Sequence, residues 1–158
     1  MKLYDLKAGM NPRRVRIFLA EKALTIPRVE VNMAGGENQR EPYLAINPMG
    51  KIPALVDGDV VITETAAICA YLADKFPDKG FAPAANSTQR GSYYRYLFYP
   101  GTTLEPMFTF NQLDVENASP QSTGWGDLER CLARAVAELA HHHSLVRGFQ
   151  RHDVHPVG

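Results

Sequence analysis

Apolar and polar positions change period several times along this chain. Lys2 to Leu6 sets Leu3 and Leu6 around Tyr4, a short strand pattern. Asn11-Pro12 then reads as a helix entry, with asparagine as N-cap and proline at the first helical position. Val15, Phe18, Leu19 and Ala23 follow at helical spacing until Pro27, after which Val29-Glu30-Val31 alternates again. Strand, helix and strand in succession predict a parallel pair joined by a right-handed crossover.

Gly35-Gly36-Glu37-Asn38 reads as a flexible polar loop, and Pro42 to Ile46 as an irregular or short helical piece. Ala54 to Asp57 and Val60 to Thr63 flank Gly58-Asp59, the pattern of a tight hairpin. Ala66 to Phe76 has a broad apolar face and is closed by Pro77. This order predicts a mixed four-stranded sheet covered by helices, over residues 1–77. Residues 78–87 are rich in Pro, Gly, Asp, Asn and Ala without periodicity, the composition of an inter-domain linker. From Thr88 onward the strand patterns vanish. Tyr93, Tyr94, Leu97 and Phe98 predict an amphipathic helix that can run past Pro100 with a kink, and Leu128, Leu132, Ala135, Val136 and Leu139 predict another. The stretch after His141-His142-His143 lacks strong periodicity, so residues 88–158 make a thin all-helical domain that must lean on the first domain or on a partner chain.

Composition narrows the function classes. The chain has 158 residues, 45% hydrophobic and 22% charged, with a formal net charge of zero, which argues against a nucleic-acid binder driven by phosphate neutralisation. Arg13, Arg14 and Arg16 form the dense basic cluster, and a solvated helix start accounts for it. The apolar run Ala66 to Ala73 is too short to span a bilayer, and Met1-Lys2-Leu3-Tyr4-Asp5 begins no secretory signal, so a cytoplasmic location is expected and no membrane. Cys69 and Cys131 form no Cys-x-x-Cys motif; disulfide scaffolding and dithiol chemistry are unsupported, and Cys69 reads as a core filler. No metal is expected. The three adjacent histidines point apart on a helix, whereas metal sites prefer i, i+3 or i+4 spacing with carboxylate support; His152 and His155 have the better spacing.

Two segments carry the chemistry: Asn47-Pro48-Met49-Gly50-Lys51-Ile52-Pro53-Ala54-Leu55 and Thr63-Glu64-Thr65-Ala66-Ala67-Ile68. Pro53 cannot donate to a ladder, so it belongs at an edge or turn. A cis Ile52-Pro53 bond would turn the Ile52 backbone outward, offering an N–H and a C=O to an extended, peptide-like ligand. Glu64 and Thr65 at a helix start suit an ammonium and a carboxylate. Together they describe a pocket for a small zwitterionic peptide. Milder readings use the same residues: Lys51 as a solvated loop lysine, Glu64-Thr65 as a bare helix start, Pro53 as edge punctuation.

These motifs, in this order, resemble the cytosolic glutathione transferases, in particular the bacterial theta-, zeta- and nu-like groups. The resemblance covers Lys2 to Phe76 closely, and continues more weakly through Leu104-Glu105-Pro106 and Leu128 to Leu139. It implies an α/β thioredoxin-like N-terminal domain (β-α-β-α-β-β-α) followed by an incomplete all-α C-terminal domain. It implies that Ile52, ahead of Pro53, pairs its backbone with the cysteinyl unit of glutathione. Glu64 and Thr65 then hold the γ-glutamyl amino and carboxylate groups, and Lys51 lies near the glycyl carboxylate. Glutathione would be co-substrate to a small electrophile, in conjugation or in reduction of a disulfide or peroxide, within a homodimer. Two departures matter. The theta- and zeta-like groups place a thiolate-stabilising serine where this chain has Gly9, and no hydroxyl or thiol occurs between Lys7 and Pro12. Asn11, with the first-turn N–H groups of its helix, is the expected substitute, and Tyr4 a weaker one. Near the end, Phe149-Gln150-Arg151-His152-Asp153-Val154 loses the hydroxyl of the family's capping box, and a truncated or altered C-terminal domain is expected. The alternatives to an enzyme are a glutathione-binding module without catalysis and an interaction domain with a vestigial pocket.

Overall fold

The computed structural model describes residues 1–113, 119 and 121–137. Leu139, the His141-His142-His143 run, His152, His155 and the stretch from Phe149 lie outside them. The chain divides into two compact units, the first Met1–Phe98 and the second from Tyr99, the last residue of the helix that closes the first.

The first unit runs β1 (Lys2–Asp5), α1 (Met10–Glu21), β2 (Arg28–Glu30), a single 3-10 turn (Glu37–Gln39), α2 (Tyr43–Ile46), β3 (Ala54–Asp57), β4 (Val60–Thr63), α3 (Thr65–Lys75), a second 3-10 turn (Pro77–Lys79) and α4 (Gln89–Tyr99). The sheet order is β2-β1-β3-β4. β1 and β2 are parallel, as the helical crossover between them requires, and the hairpin partner β3 is antiparallel to both β1 and β4. This is the mixed, thioredoxin-like sheet that the hydrophobic pattern and the resemblance predict.

Its core is the buried set Leu3, Val15, Leu19, Leu55, Ile68, Cys69 and Leu72. Leu3 and Leu55 are opposite each other across the β1–β3 ladder. Val15 and Leu19, and likewise Ile68 and Leu72, are four apart, so each helix presents one apolar stripe to the sheet. Stretch 78–87 is tied to this unit. Lys22 Nζ donates to the Gly80 carbonyl and lies over the Phe18 and Phe81 rings, and Arg90 donates to the Pro83 carbonyl and to Asp74, both at 2.7 Å.

Two local expectations need correction. α1 begins at Met10 with Gly9 as N-cap, so Asn11 is the second helical residue and Pro12 the third. Pro12 is tolerated there because the first turn's N–H groups have no intrahelical acceptor in any case; the first helical bond runs from Arg13 N to Gly9 O at 3.0 Å. Gly35 to Asn38 is no flexible loop either. Asn32 Oδ1 accepts from Gly35 N, Glu37 Oε2 accepts from Asn32 N, both at 2.8 Å, and Asn38 is buried.

The second unit opens on a wide π turn, Pro100–Leu104, and continues as α5, Glu105–Gln112. A proline without an N–H breaks the regular i→i−4 ladder, a common setting for such a turn. Residues 128–137 form a further helix, α6. Phe110 meets Trp125 edge to face at 4.7 Å, Cys131 Sγ lies 2.9 Å from the Trp125 carbonyl, and Tyr99 donates to the Cys131 carbonyl at 3.0 Å. Among the described residues no helix is long and apolar enough to cross a membrane.

Leu55 is fully buried at the centre of the first unit, so Leu55→Ala is expected to cost about 2–5 kcal/mol. Chemical denaturation should show a lower midpoint with an unchanged slope.

Candidate functional site

The hairpin brings the two chemical segments together. Ala54 pairs with Thr63 in the β3–β4 ladder, and one further step of that antiparallel register sets Pro53 level with Glu64. The Ile52-Pro53 bond is cis, and because β3 begins at Ala54 the Ile52 backbone lies outside the ladder. Lys51 is exposed, Ile52 half-buried and Pro53 buried.

The loop leading into Pro53 is held by three buried side chains. Asn47 Nδ2 donates to the Lys51 carbonyl at 2.7 Å while its Oδ1 accepts from Met49 N at 3.1 Å. Tyr43 OH donates to the same Lys51 carbonyl at 2.6 Å. Burial pushes the Tyr43 phenol up to about 12, which the Asn47 hydrogen bond only partly offsets, so this donor keeps its proton throughout the physiological range. Asn38 Nδ2 donates to the Gly50 carbonyl at 2.8 Å. Gly50 itself has φ +61, and a Cβ there would meet Gln39 Nε2 at 2.5 Å and the Asn38 carbonyl at 2.8 Å. Only glycine satisfies both the left-handed backbone and the close approach.

On the other side, Glu64 is the N-cap of α3 with φ 65 and ψ 122. For a residue with a Cβ this conformation is sparsely populated and costs on the order of 1–3 kcal/mol. Its carbonyl accepts the first bond of α3 from Ile68 N at 2.9 Å, while its carboxylate side chain is exposed and Thr65 is buried directly behind it. A positive-φ acid at the head of an 11-residue helix is a local distortion that the core beneath, through Ile68, Cys69 and Leu72, holds in place.

The β1–α1 turn supplies the remaining candidates. Gly9 N bonds to the Leu6 carbonyl at 3.0 Å, closing the turn. A Cβ at Gly9 would sit 2.9 Å from Pro12 Cδ and 3.3 Å from the Leu6 carbonyl, so the ring of Pro12 fills the space a serine side chain would need. Asn11 is half-buried, and its Oδ1 accepts from Arg14 Nη1 at 3.1 Å, which fixes Nδ2 as the donor end of the amide. Pro12 carries no N–H, so the first-turn backbone donors ahead of Arg13 are those of Met10 and Asn11. Tyr4 is half-buried, with its ring edge-on to Tyr43 at 5.7 Å. Cys69 is buried in the core, where burial disfavours the thiolate and pushes its thiol up to about 11 against the opposing charge of Arg14.

The loop's anchors, Tyr43 and Asn38, escape sequence reasoning. Asn38 lies in a stretch whose glycines suggest flexibility, and Tyr43 in a short piece without clear period; only the fold brings them against Gly50 and Lys51.

Asn38→Ala leaves the Gly50 carbonyl with only the long 3.5 Å bond from Gln39 Nε2 and is expected to cost about 1–3 kcal/mol in thermal or denaturant unfolding. Gly9→Ser, which would restore the hydroxyl by sequence, should destabilise the protein rather than leave it unchanged. Cys69 contributes stability that is full below the ordinary thiol range and is lost as pH rises toward about 11. Its alkylation by iodoacetamide in the native protein should be far slower at pH 8 than in denaturant.

The sequence profile of the glutathione S-transferase N-terminal domain matches residues 1–74. Glutathione S-transferase Z2 of Arabidopsis thaliana is 34% identical over 128 residues, covering 79% of this chain and 57% of that protein. A zeta-class glutathione S-transferase of Euphorbia esula is 43% identical over 142 residues, covering 88% and 62%. This chain therefore spans little more than half the length of either relative. The crystal structure of a glutathione transferase homologue from Sulfitobacter, with bound glutathione, superposes with a TM-score of 0.62 at 29% identity, covering 92% of this chain and 67% of that one. The sheet order, the Pro53 loop level with the head of α3, and these likenesses agree: residues 1–74 form a glutathione S-transferase N-terminal domain.

Proposed function

We propose that this protein binds glutathione and transfers its thiolate to a small electrophile. The observation that carries the reading is the opposition of two backbones: Ile52, outside the ladder just ahead of β3, and Glu64, at positive φ one ladder step beyond Thr63. A γ-glutamyl tripeptide fits that arrangement. Its cysteinyl amide pairs with the Ile52 N–H and C=O, its α-ammonium meets the Glu64 carboxylate, and its α-carboxylate meets Thr65 at the α3 N-terminus. Lys51 is exposed at the loop end and suits the glycyl carboxylate. The glutathione held by the Sulfitobacter homologue supports the same ligand here.

The chemistry requires a thiolate. A free thiol has a pKa of about 8.5 and is mostly protonated at neutrality. In this reading the Asn11 amide and the first-turn N–H groups donate to the sulfur and favour its anion, the thiol proton leaving to water. The sulfur lone pair then forms a bond to the electrophilic carbon as the leaving group departs with its electron pair. Each pKa unit gained corresponds to about 1.4 kcal/mol of selective stabilisation of the anion. Within this proposal residues 1–77 are the thioredoxin-like glutathione-binding domain, 78–87 a linker and 88–158 a partial all-helical domain, in a cytoplasmic homodimer.

A second reading, a glutathione-binding module without catalysis, is favoured by one observation: the N-cap of α1 is a glycine with no side-chain donor. Turnover separates the two. Millimolar glutathione should raise Tm by mass action, and Glu64→Ala should weaken binding about tenfold, or roughly 1.4 kcal/mol. Conjugation of a chromogenic electrophile should exceed the uncatalysed rate. Asn11→Ala should then lower kcat/KM at neutral pH about tenfold and move its pH profile upward, with glutathione affinity within about twofold. Ligand binding without turnover would establish the second reading; no shift in Tm would reject both.

A further inference from the structure

The arginine cluster that the glutathione reading leaves unused is divided by α1. Arg14 turns to Asn11. Arg13 and Arg16 are three apart, hence neighbours on one helix face, and line a cavity of about 550 Å³ together with Asp5, Lys7, Arg28 and Glu30. None of Asn11, Lys51, Ile52, Pro53, Glu64 or Thr65 lines it.

The wall carries four cations against two carboxylates, and both carboxylates are engaged within the wall. Asp5, buried at the end of β1, accepts from Arg16 Nη1 at 2.5 Å and from Leu6 N at 2.8 Å, both on Oδ1. Glu30 Oε1 accepts from Lys7 N at 2.7 Å. Arg16 is also engaged: it donates to the Leu6 carbonyl at 3.0 Å and to the Lys7 carbonyl at 2.8 Å, which fixes its guanidinium in the wall. The other three cations are not neutralised in this way. Arg28 faces Asp5 Oδ2 only at 3.6 Å and its side chain is 56% exposed. Among the described residues the side chains of Arg13 and Lys7 make no ion pair. The formal surplus is two positive charges, on side chains that approach from α1, from β2 and from the β1–α1 turn.

The geometry points to a binding site for a phosphoryl dianion, held by Arg13, Lys7 and Arg28 beside the fixed Arg16–Asp5 pair. A phosphate monoester carries about two negative charges near neutrality and offers three acceptor oxygens, which matches the surplus and the three side chains. Guanidinium groups suit its oxygens by geometry as well as by charge. The volume lies in the range of small-molecule sites, about 300–1,000 Å³, so the cavity has room for the organic body of a monoester as well as for free phosphate. The site is separate from the glutathione residues, and the inference stands independently of the function proposed above.

Isothermal titration of the full chain at constant ionic strength, adjusted with chloride, tests it with inorganic phosphate, glycerol phosphate and, as a singly charged control, acetate. Saturable binding of either phosphate, with Kd on the order of 1 mM or tighter, and none of acetate, is expected. Arg13→Gln combined with Lys7→Gln should weaken it about tenfold or more, and Arg28→Gln should weaken it as well. Both positions of the double variant are exposed, so its unfolding midpoint should stay near that of the parent, which the same preparations check. Tighter binding of the ester identifies an esterified ligand, and equal binding identifies free phosphate; both support the site. Absence of saturable phosphate binding, or equal affinity in the double variant, overturns it.

Discussion

The antiparallel register of β3 and β4 pairs Ala54 with Thr63, and the candidate site depends on that pairing. It brings the end of the 47–53 loop level with the head of α3, although the two are separated in sequence by the whole hairpin. The register is in turn set by burial. Leu55 is fully buried in the core cluster, opposite Leu3 of β1 and Ile62 of β4, so a slip by one residue would turn it to the other face of the sheet.

Around this register, order is maintained by different forces on the two sides. Apolar packing anchors α3: Ile68, Cys69 and Leu72 belong to the core cluster, and that burial offsets the positive φ at Glu64. Hydrogen bonds anchor the loop instead. From buried side chains, two donors converge on the Lys51 carbonyl and one on the Gly50 carbonyl, which also accepts from the exposed Gln39 at 3.5 Å. Buried acceptors satisfied in this way are costly to strand. The Ile52 backbone is thus presented by a loop that has little freedom to relax away from a ligand.

The β1–α1 turn is built differently from what a serine-bearing relative would need. Pro12 occupies the space beside Gly9, and the helix starts one residue before Asn11. Any donor to a sulfur at this turn therefore comes from within the first helical turn. The same turn carries Lys7 to one side and Arg13 just beyond it, where they face Glu30 and Arg28 of the neighbouring strand across a charged cavity. One short connection thus borders two chemically distinct surfaces.

Much of the first unit was legible in the sequence because its signals are local. The period change from Leu3 to Val15 and Leu19, the Gly58-Asp59 turn and the closing Pro77 each act through nearest neighbours, and the strands and helices formed where they point. The motif from Asn47 to Leu55 and the pair Glu64-Thr65 were legible for the same reason: proline and glycine constrain their own backbone. The helix starts two residues earlier than Asn11-Pro12 suggests, because Pro12 is equally acceptable at the first or third position, where no N–H is needed. The roles of Asn38 and Tyr43, and the division of Arg13, Arg14 and Arg16 between an amide and a cavity, are decided by residues distant in sequence. By itself the sequence determined which segments become strands, helices and turns, since those follow from local sterics and period. The tertiary structure alone decided which side chains meet, because buried hydrogen bonds and charge pairing depend on register and packing that no single segment contains.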